Sequence, residues 1–137
     1  MTDDAEVLSV LQLANGGSLS EKLGIEITEA SRERIVGTMS VEGNTQPYGV
    51  LHGGASCVLA ESLASIGSAL VGWPERIALG IEINATHHRP AREGVVTGVA
   101  TPVHVGRTLA TWDVAITRED GQRVCTARVT CALRDQS

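Results

Sequence analysis

One stretch limits what this chain can become more than any other. From Gly53 to Val71, apolar residues recur at three- and four-residue spacing: Ala55, Val58, Leu59, Leu63, Ile66, Ala69 and Leu70. Ala60 and Ala64 fill the positions between them. That is helix period, and a helix apolar on most sides is a buried one. Gly72-Trp73-Pro74 ends it. A carboxylate, Glu61, stands in the middle. Burying an unpaired carboxylate is costly, and the usual response is a raised pKa. Ser65 lies one turn on, on the same side.

The segments around this helix have a different period. Leu23, Ile25 and Ile27 alternate with Gly24, Glu26 and Thr28, and Ile35, Met39 and Val41 continue an odd-numbered apolar face. After the helix, four strand-like runs follow: Ile77, Leu79, Ile81, Ile83; Val95, Val99, Val103; Trp112, Val114, Ile116; and Cys125, Ala127, Val129, Cys131, Leu133. Asp120-Gly121 is a hairpin signal between the last two. Ala5 to Ala14 reads as a short helix stopped by Asn15-Gly16-Gly17, and Ser18 and Ser20 can start another turn. Two strands, one long helix and four strands predict an α+β fold, with an antiparallel sheet packed on a single helix and curling around it.

The 137 residues fit one domain, 1–137, with 1–22 as an N-terminal helical extension. Without Phe, the core must come from Val, Ile, Leu and Ala. A net charge of −5 argues against general nucleic-acid binding. The basic residues are arginines apart from Lys22, which reflects either base composition or phosphate recognition by a forked donor. Three loosely spaced cysteines suggest no disulfide framework, no metal site and a reducing compartment. The acidic start carries no signal-type segment, and no uninterrupted apolar run approaches the roughly 18 residues of a membrane span. A cytoplasmic protein without membrane contact is expected.

The loop before the helix, Gln46-Pro47-Tyr48-Gly49-Val50-Leu51-His52-Gly53-Gly54-Ala55-Ser56, is followed by Glu61 and Ser65. This stretch resembles the loop and helix of hotdog-fold acyl-CoA thioesterases of the 4-hydroxybenzoyl-CoA and PaaI type. It is most similar to the bacterial branch acting on 1,4-dihydroxy-2-naphthoyl-CoA in menaquinone synthesis and on misloaded aryl carriers in enterobactin synthesis. Leu79-Gly80-Ile81-Glu82-Ile83-Asn84-Ala85-Thr86-His87-His88-Arg89-Pro90 and Val103-His104-Val105-Gly106-Arg107 extend the resemblance, which runs from about Gly24 to Leu133. Tyr48 departs from the Phe frequent in that branch.

The resemblance implies a hotdog fold, an antiparallel curved sheet wrapped around one long central helix. It implies hydrolysis of acyl- or aroyl-CoA thioesters with Glu61 as nucleophile or general base, two roles the sequence does not separate. The backbone N–H of Gly53, at the positive end of the helix, is the expected oxyanion donor. Gln46 resembles the residue that orients the carbonyl or the water. His52 holds the loop or assists binding, and Ser65 bonds Glu61, the water or the preceding turn. Gly80, His87, His88, Arg89, Pro90, His104, Gly106, Arg107 and Thr108 are candidate contacts for coenzyme A. No cofactor is expected, because coenzyme A is part of the substrate. Gly53 and Glu61 are too far apart on one helix to meet one carbonyl, so the site is expected to be shared between subunits, in a dimer or tetramer. Alternatives are a non-catalytic acyl-CoA-binding domain and a proofreading thioesterase acting on aryl or acyl carrier proteins.

Overall fold

The computed structural model describes residues 4–14 and 17–136. Helix α1 is Asp4–Ala14 and α2 is Ser18–Leu23. Strands β1 (Glu26–Ala30) and β2 (Ile35–Ser40) precede helix α3 (Gly53–Gly72). Strands β3 (Arg76–His87), β4 (Val95–Val105), β5 (Leu109–Thr117) and β6 (Arg123–Asp135) follow. All strand pairs are antiparallel and form one six-stranded sheet in the order β1-β2-β4-β5-β6-β3. The sheet wraps α3, which touches every strand. This is the expected α+β architecture. The Asn15-Gly16 part of the expected helix stop lies outside the described residues. Leu23 and Gly24 belong to the end of α2 rather than to a strand. Gly24 takes a left-handed φ of 73° there and turns the chain into β1.

The helix lies close to the sheet because glycines leave it room. A Cβ on Gly98 would stand 2.7 Å from Leu63 Cδ1, and one on Gly37 would stand 2.7 Å from Leu63 Cδ2. On the helix side, a Cβ on Gly67 would stand 2.5 Å from Trp112 Cη2. Trp112 is fully buried, and its Nε1–H donates to Ser68 Oγ at 2.9 Å, so the indole is paired as well as packed.

One expected strand face is reversed and another holds only in part. In β4 the inward residues are Val96, Gly98 and Ala100, while Val95 and Val103 are exposed. The sheet offers small residues to the leucines of α3 and turns the odd-numbered valines away. In β3 the register shifts between Gly80 and Glu82, which flips the phase of the strand. Ala78 packs against the core before the shift, and Ile83 and Ala85 after it. Leu79 and Ile81 are left 49% and 57% exposed. The inward faces of β2, β5 and β6 match expectation. The Asp120-Gly121 hairpin forms with Gly121 at φ 85°. The Arg118 Nε–H is shared between the two Asp120 carboxylate oxygens, at 2.9 and 3.0 Å, and holds that carboxyl below its usual pKa.

Helix α3 is long and apolar enough to cross a membrane by length and average composition, with a mean hydropathy of 1.5, although Glu61 and several serines interrupt it, so it is not an uninterrupted apolar run. It packs against the sheet of its own chain, with half of that window buried. One stripe is not covered: Gly54, Cys57, Val58, Glu61, Ser62, Ser65 and Ala69 are half-buried or exposed. The small residues on that stripe hide it from a reading of hydrophobicity alone.

The Gly67 contact predicts that Gly67→Ala destabilises the fold by about 1–3 kcal/mol, because the added methyl must displace a fully buried ring. Urea unfolding followed by Trp fluorescence reads this directly. An unchanged midpoint would mean that α3 does not sit this close to β5.

Candidate active site

The loop 43–52 delivers the chain to the start of α3. Thr45 and Leu51 form an isolated bridge, and Gln46 N–H donates to Val50 O at 2.9 Å. Gln46 Oε1 accepts from the Tyr48 N–H, which commits its side-chain carbonyl to the loop and leaves its Nε2 as the free donor. His52 is the N-cap: its Nδ1 accepts from Gly54 N–H at 2.8 Å. Of the two readings of His52, holding the loop is the one the geometry carries.

The next amides are also occupied. Ala55 and Ser56 N–H groups donate to His52 O at 3.0 and 3.3 Å. Among the described residues, the Gly53 N–H has no acceptor, so the first amide of a 20-residue helix is open. A Cβ on Gly53 would stand 2.8 Å from His87 Nε2. Glycine here lets the imidazole lie directly against the helix start. His87, His88, Arg89 and Pro90 line a cavity of about 400 Å³ with Gln46, Gly53 and the buried Ser56.

That segment is strapped to the start of β6. His88 Nε2 lies 2.9 Å from Thr126 Oγ1, and Arg89 Nη1 donates to Arg123 O at 3.1 Å. Arg123 Nη1 donates to the same Thr126 hydroxyl at 2.8 Å, adding a cation that the sequence did not single out. Nothing in its local pattern marks it, because β-sheet pairing alone brings residues 88 and 126 together.

Glu61 lies elsewhere. It is exposed on the isolated chain, so the burial on which a shifted acid was expected is not met within one chain. Its carboxylate rests over Gly80, where a Cβ would stand 2.6 Å from Oε2. Gly80, expected among the coenzyme contacts, therefore makes room for the acid. Ser65 lies one turn on and does not bond Glu61; its Oγ is 4.0 Å from Cys131 Sγ. Glu61, Ser62 and Ser65 line a second cavity of about 400 Å³ with Val58, Ile66 and Ala69. Cys57, one turn before Glu61, has its thiol pushed up by burial and by the negative charge of Glu61. Burial, followed by the charge of Cys57, raises the Cys125 thiol to about 11. All three cysteines are free.

The third expected segment is separate from both cavities. Gly106 N–H donates to Leu109 O at 2.8 Å, and Leu133 N–H donates to Thr108 O at 2.8 Å, which closes the β4–β5 turn. A Cβ on Gly106 would stand 2.9 Å from His104 Nε2. Arg76 Nη1 donates to Arg107 O, so this turn sits beside the first residue of β3. His87 is the last residue of that strand, eleven positions on, roughly 37 Å of extended chain. One chain thus divides the predicted residues into three places: Gln46, Gly53 and 87–90; Glu61, Ser65 and Gly80; and 104–108.

Comparison with known proteins gives this arrangement a family. Residues 48–125 match the model of the thioesterase superfamily. The chain is 42% identical over 127 residues to the proofreading thioesterase EntH of Cronobacter turicensis, covering 92% of this chain and 93% of that one. The crystal structure of a mutant thioesterase PA1618 from Pseudomonas aeruginosa superimposes with a TM-score of 0.88 at 39% identity, covering 99% and 97% of the two chains. Thioesterase HI1161 from Haemophilus influenzae gives 0.86 at 36%, covering 94% and 90%. The PaaI protein of the Escherichia coli phenylacetic acid degradation operon, at 18% identity and a TM-score of 0.84, shares the fold. With the helix-wrapping antiparallel sheet and these likenesses together, the chain belongs to the hotdog-fold thioesterase superfamily.

Proposed function

We propose that the protein hydrolyses acyl- or aroyl-CoA thioesters to free acid and coenzyme A, in a site assembled from two copies of the chain. 1,4-Dihydroxy-2-naphthoyl-CoA or a related aroyl-CoA is the proposed substrate. The observation that carries this reading is the division of the reacting groups between two cavities. The open Gly53 N–H and the Gln46 amide lie in one, and Glu61 and Ser65 in the other. Gly53 and Glu61 are separated by a rise of about 12 Å. A single carbonyl must sit about 3 Å from both its oxyanion donor and its attacking group. Two α3 helices related by a two-fold axis bring the donor of one copy to the acid of the other.

The edge of the sheet supports that operator. β3 has a partner on one side only, and it exposes Leu79 and Ile81 beside its unpaired edge. An open apolar edge of this kind is a template for pairing. Antiparallel pairing centred between Ile81 and Glu82 sets Arg76 of one copy across from the partner's His87. The Arg107 turn, which lies beside Arg76, then joins Arg89 and the neighbouring Arg123 of the other copy as cations for the coenzyme phosphates, with the His88 ring next to them.

In the chemistry proposed, Glu61 either attacks the thioester carbon, expelling the thiolate and leaving an anhydride that water opens, or takes a proton from the water that attacks. The carbonyl oxygen gains charge in both cases. The Gly53 N–H, with Gln46 Nε2 beside it, meets that charge. His52 holds the helix start through its Nδ1. A second reading is delivery of the acyl group by a carrier protein. It is favoured by the likeness to the proofreading thioesterase EntH. A screen of aroyl-CoA against the same aroyl group on an aryl carrier protein separates the two by kcat/KM.

Glu61→Gln is nearly isosteric, and we expect it to fold and to lose at least about 10²–10⁴ in kcat. Near-normal turnover on benzoyl-CoA, with a native circular dichroism spectrum, would remove Glu61 from the reaction. The same variant tests its charge. Glu61 helps to hold the Cys57 thiol up, so removing that charge lowers the Cys57 pKa, increases the thiolate present at pH 8 and speeds alkylation of Cys57 by iodoacetamide. An equal or slower rate than wild type would mean that Glu61 carries no charge beside Cys57.

Shared sites are tested by complementation. A Glu61→Ala protein is mixed with a Gln46→Ala/Gly53→Pro protein under conditions that exchange subunits. The proline removes the open amide and displaces His87, and both effects stay in one half-site. A mixed dimer regains one site with intact groups from both chains. Background activity after demonstrated exchange, with wild-type controls recovering, would rule out the two-copy arrangement.

A further inference from the structure

The cavity that holds Glu61 is closed on one side by the N-terminal arm, which lies outside the segment matched to the family. Val10 of α1 and Leu19 and Ser20 of α2 form that wall, facing Val58 and Ile66 of α3. The two helices of the arm are held very differently. Val10 is 2% exposed, and Arg32 ties α1 to the end of α3: its Nη2 lies 2.6 Å from Glu6 Oε2 and its Nε donates to Leu70 O at 3.0 Å. Helix α2 buries no residue, and Leu19 is 53% exposed. Leu19 therefore contributes little to the core, while its side chain borders a cavity that ends on the candidate reacting carboxylate.

The chemistry of the cavity says which end of a thioester it takes. Among the described residues, no Lys, Arg or His lines it, and Glu61 is its only charged residue. A polyphosphate would be repelled there, whereas an apolar acyl group finds aliphatic walls. Its volume of about 400 Å³ lies in the range of small-molecule sites. Once the carbonyl carbon stands against Glu61, the acyl group runs along α3 toward Ser65 and Ile66, with the arm above it.

We infer that the N-terminal arm is the specificity-determining wall of the acyl site, with Leu19 touching the acyl group and its size setting how bulky an acyl group enters. This rests on the reading of Glu61 as the reacting carboxylate. Because Leu19 is half exposed, it can be replaced by a smaller or larger residue without opening the core.

The test measures binding separately from turnover. Isothermal titration of S-phenacyl-coenzyme A, a thioether that cannot be hydrolysed, is carried out on the full-length protein and on Leu19→Ala and Leu19→Trp. In parallel, kcat/KM is measured for acetyl-CoA, benzoyl-CoA and 2-naphthoyl-CoA. We expect Leu19→Trp to weaken phenacyl-CoA about tenfold, in line with pocket contacts of this size, and to cut naphthoyl turnover far more than acetyl turnover. Leu19→Ala shifts the naphthoyl-to-acetyl ratio the other way, and it decides the matter alone if the Trp variant does not fold. Affinities of the folded variants within about twofold of wild type, with unchanged substrate ratios, overturn the inference. So does a wild-type protein that binds phenacyl-CoA no more tightly than free coenzyme A. If the affinities shift as expected but no thioester is hydrolysed by the wild type, the hydrolase reading falls and the acyl wall stands.

Discussion

Everything in this structure depends on how closely α3 approaches the sheet. Leu63 enters a space that exists only because Gly37 and Gly98 have no side chains, and Trp112 reaches the helix only because Gly67 has none. Close packing at this separation leaves no slack, since protein interiors are filled to the density of organic crystals. The same closeness continues along the helix at its edge. Gly53 lies under His87 and Glu61 lies over Gly80, each contact again requiring a bare Cα. The glycines that let the core pack and the glycines that set the site are thus parts of one helix–sheet spacing. A change that lifted the helix would move the open amide and the carboxylate together.

The helix was the most legible part of the sequence, and the Gly67→Ala contact shows why legibility stopped short of geometry. Apolar spacing identified α3 almost to the residue, and the alternation in β5 and β6 gave their buried faces correctly. In β4, three valines at even spacing outweighed Val96, Gly98 and Ala100, although the smaller set faces the core. Hydrophobicity favours the larger residues, but a sheet pressed against Leu59 and Leu63 needs the smaller ones. In β3 the alternation was real, yet a register shift between Gly80 and Glu82 splits the strand into two phases, so Ile83 faces the core as its spacing implies while Leu79, before the shift, faces outward. A bulge carries no reliable signal in a single sequence, and it reverses every face beyond it.

The candidate site was legible as a set of residues and not as a place. The loop motif gave Gln46, Gly53, Glu61 and Ser65 together, but only the fold shows that they occupy two cavities. His52 had two readings, and the hydrogen bond from Gly54 favours capping. Arg123 had none, because its place beside His88 comes from the pairing of β3 with β6. The burial expected for Glu61 followed from treating α3 as covered all round. Apart from Val58, its uncovered stripe around Glu61 is made of Gly, Ser, Cys and Ala, residues that read as core filler in a helix and leave an opening when no strand lies over them.

That opening bears on the chemistry. A carboxylate in water is a weak nucleophile and a weak base, and its attack on a thioester gains from a dry, preorganised site. The isolated chain leaves Glu61 exposed and, among the described residues, leaves the Gly53 amide without an acceptor, so neither group has the surroundings that the proposed reaction needs. The exposed Leu79 and Ile81 beside the unpaired edge of β3 offer the area over which a second copy can pack. In the proposed assembly, one association covers the apolar edge, dries the carboxylate and brings the oxyanion donor within reach. Folding of the single chain then supplies the parts, and association supplies the dielectric in which they work. On this view the hydrophobic residues of β3 that do not serve the core of their own chain serve the site of the pair.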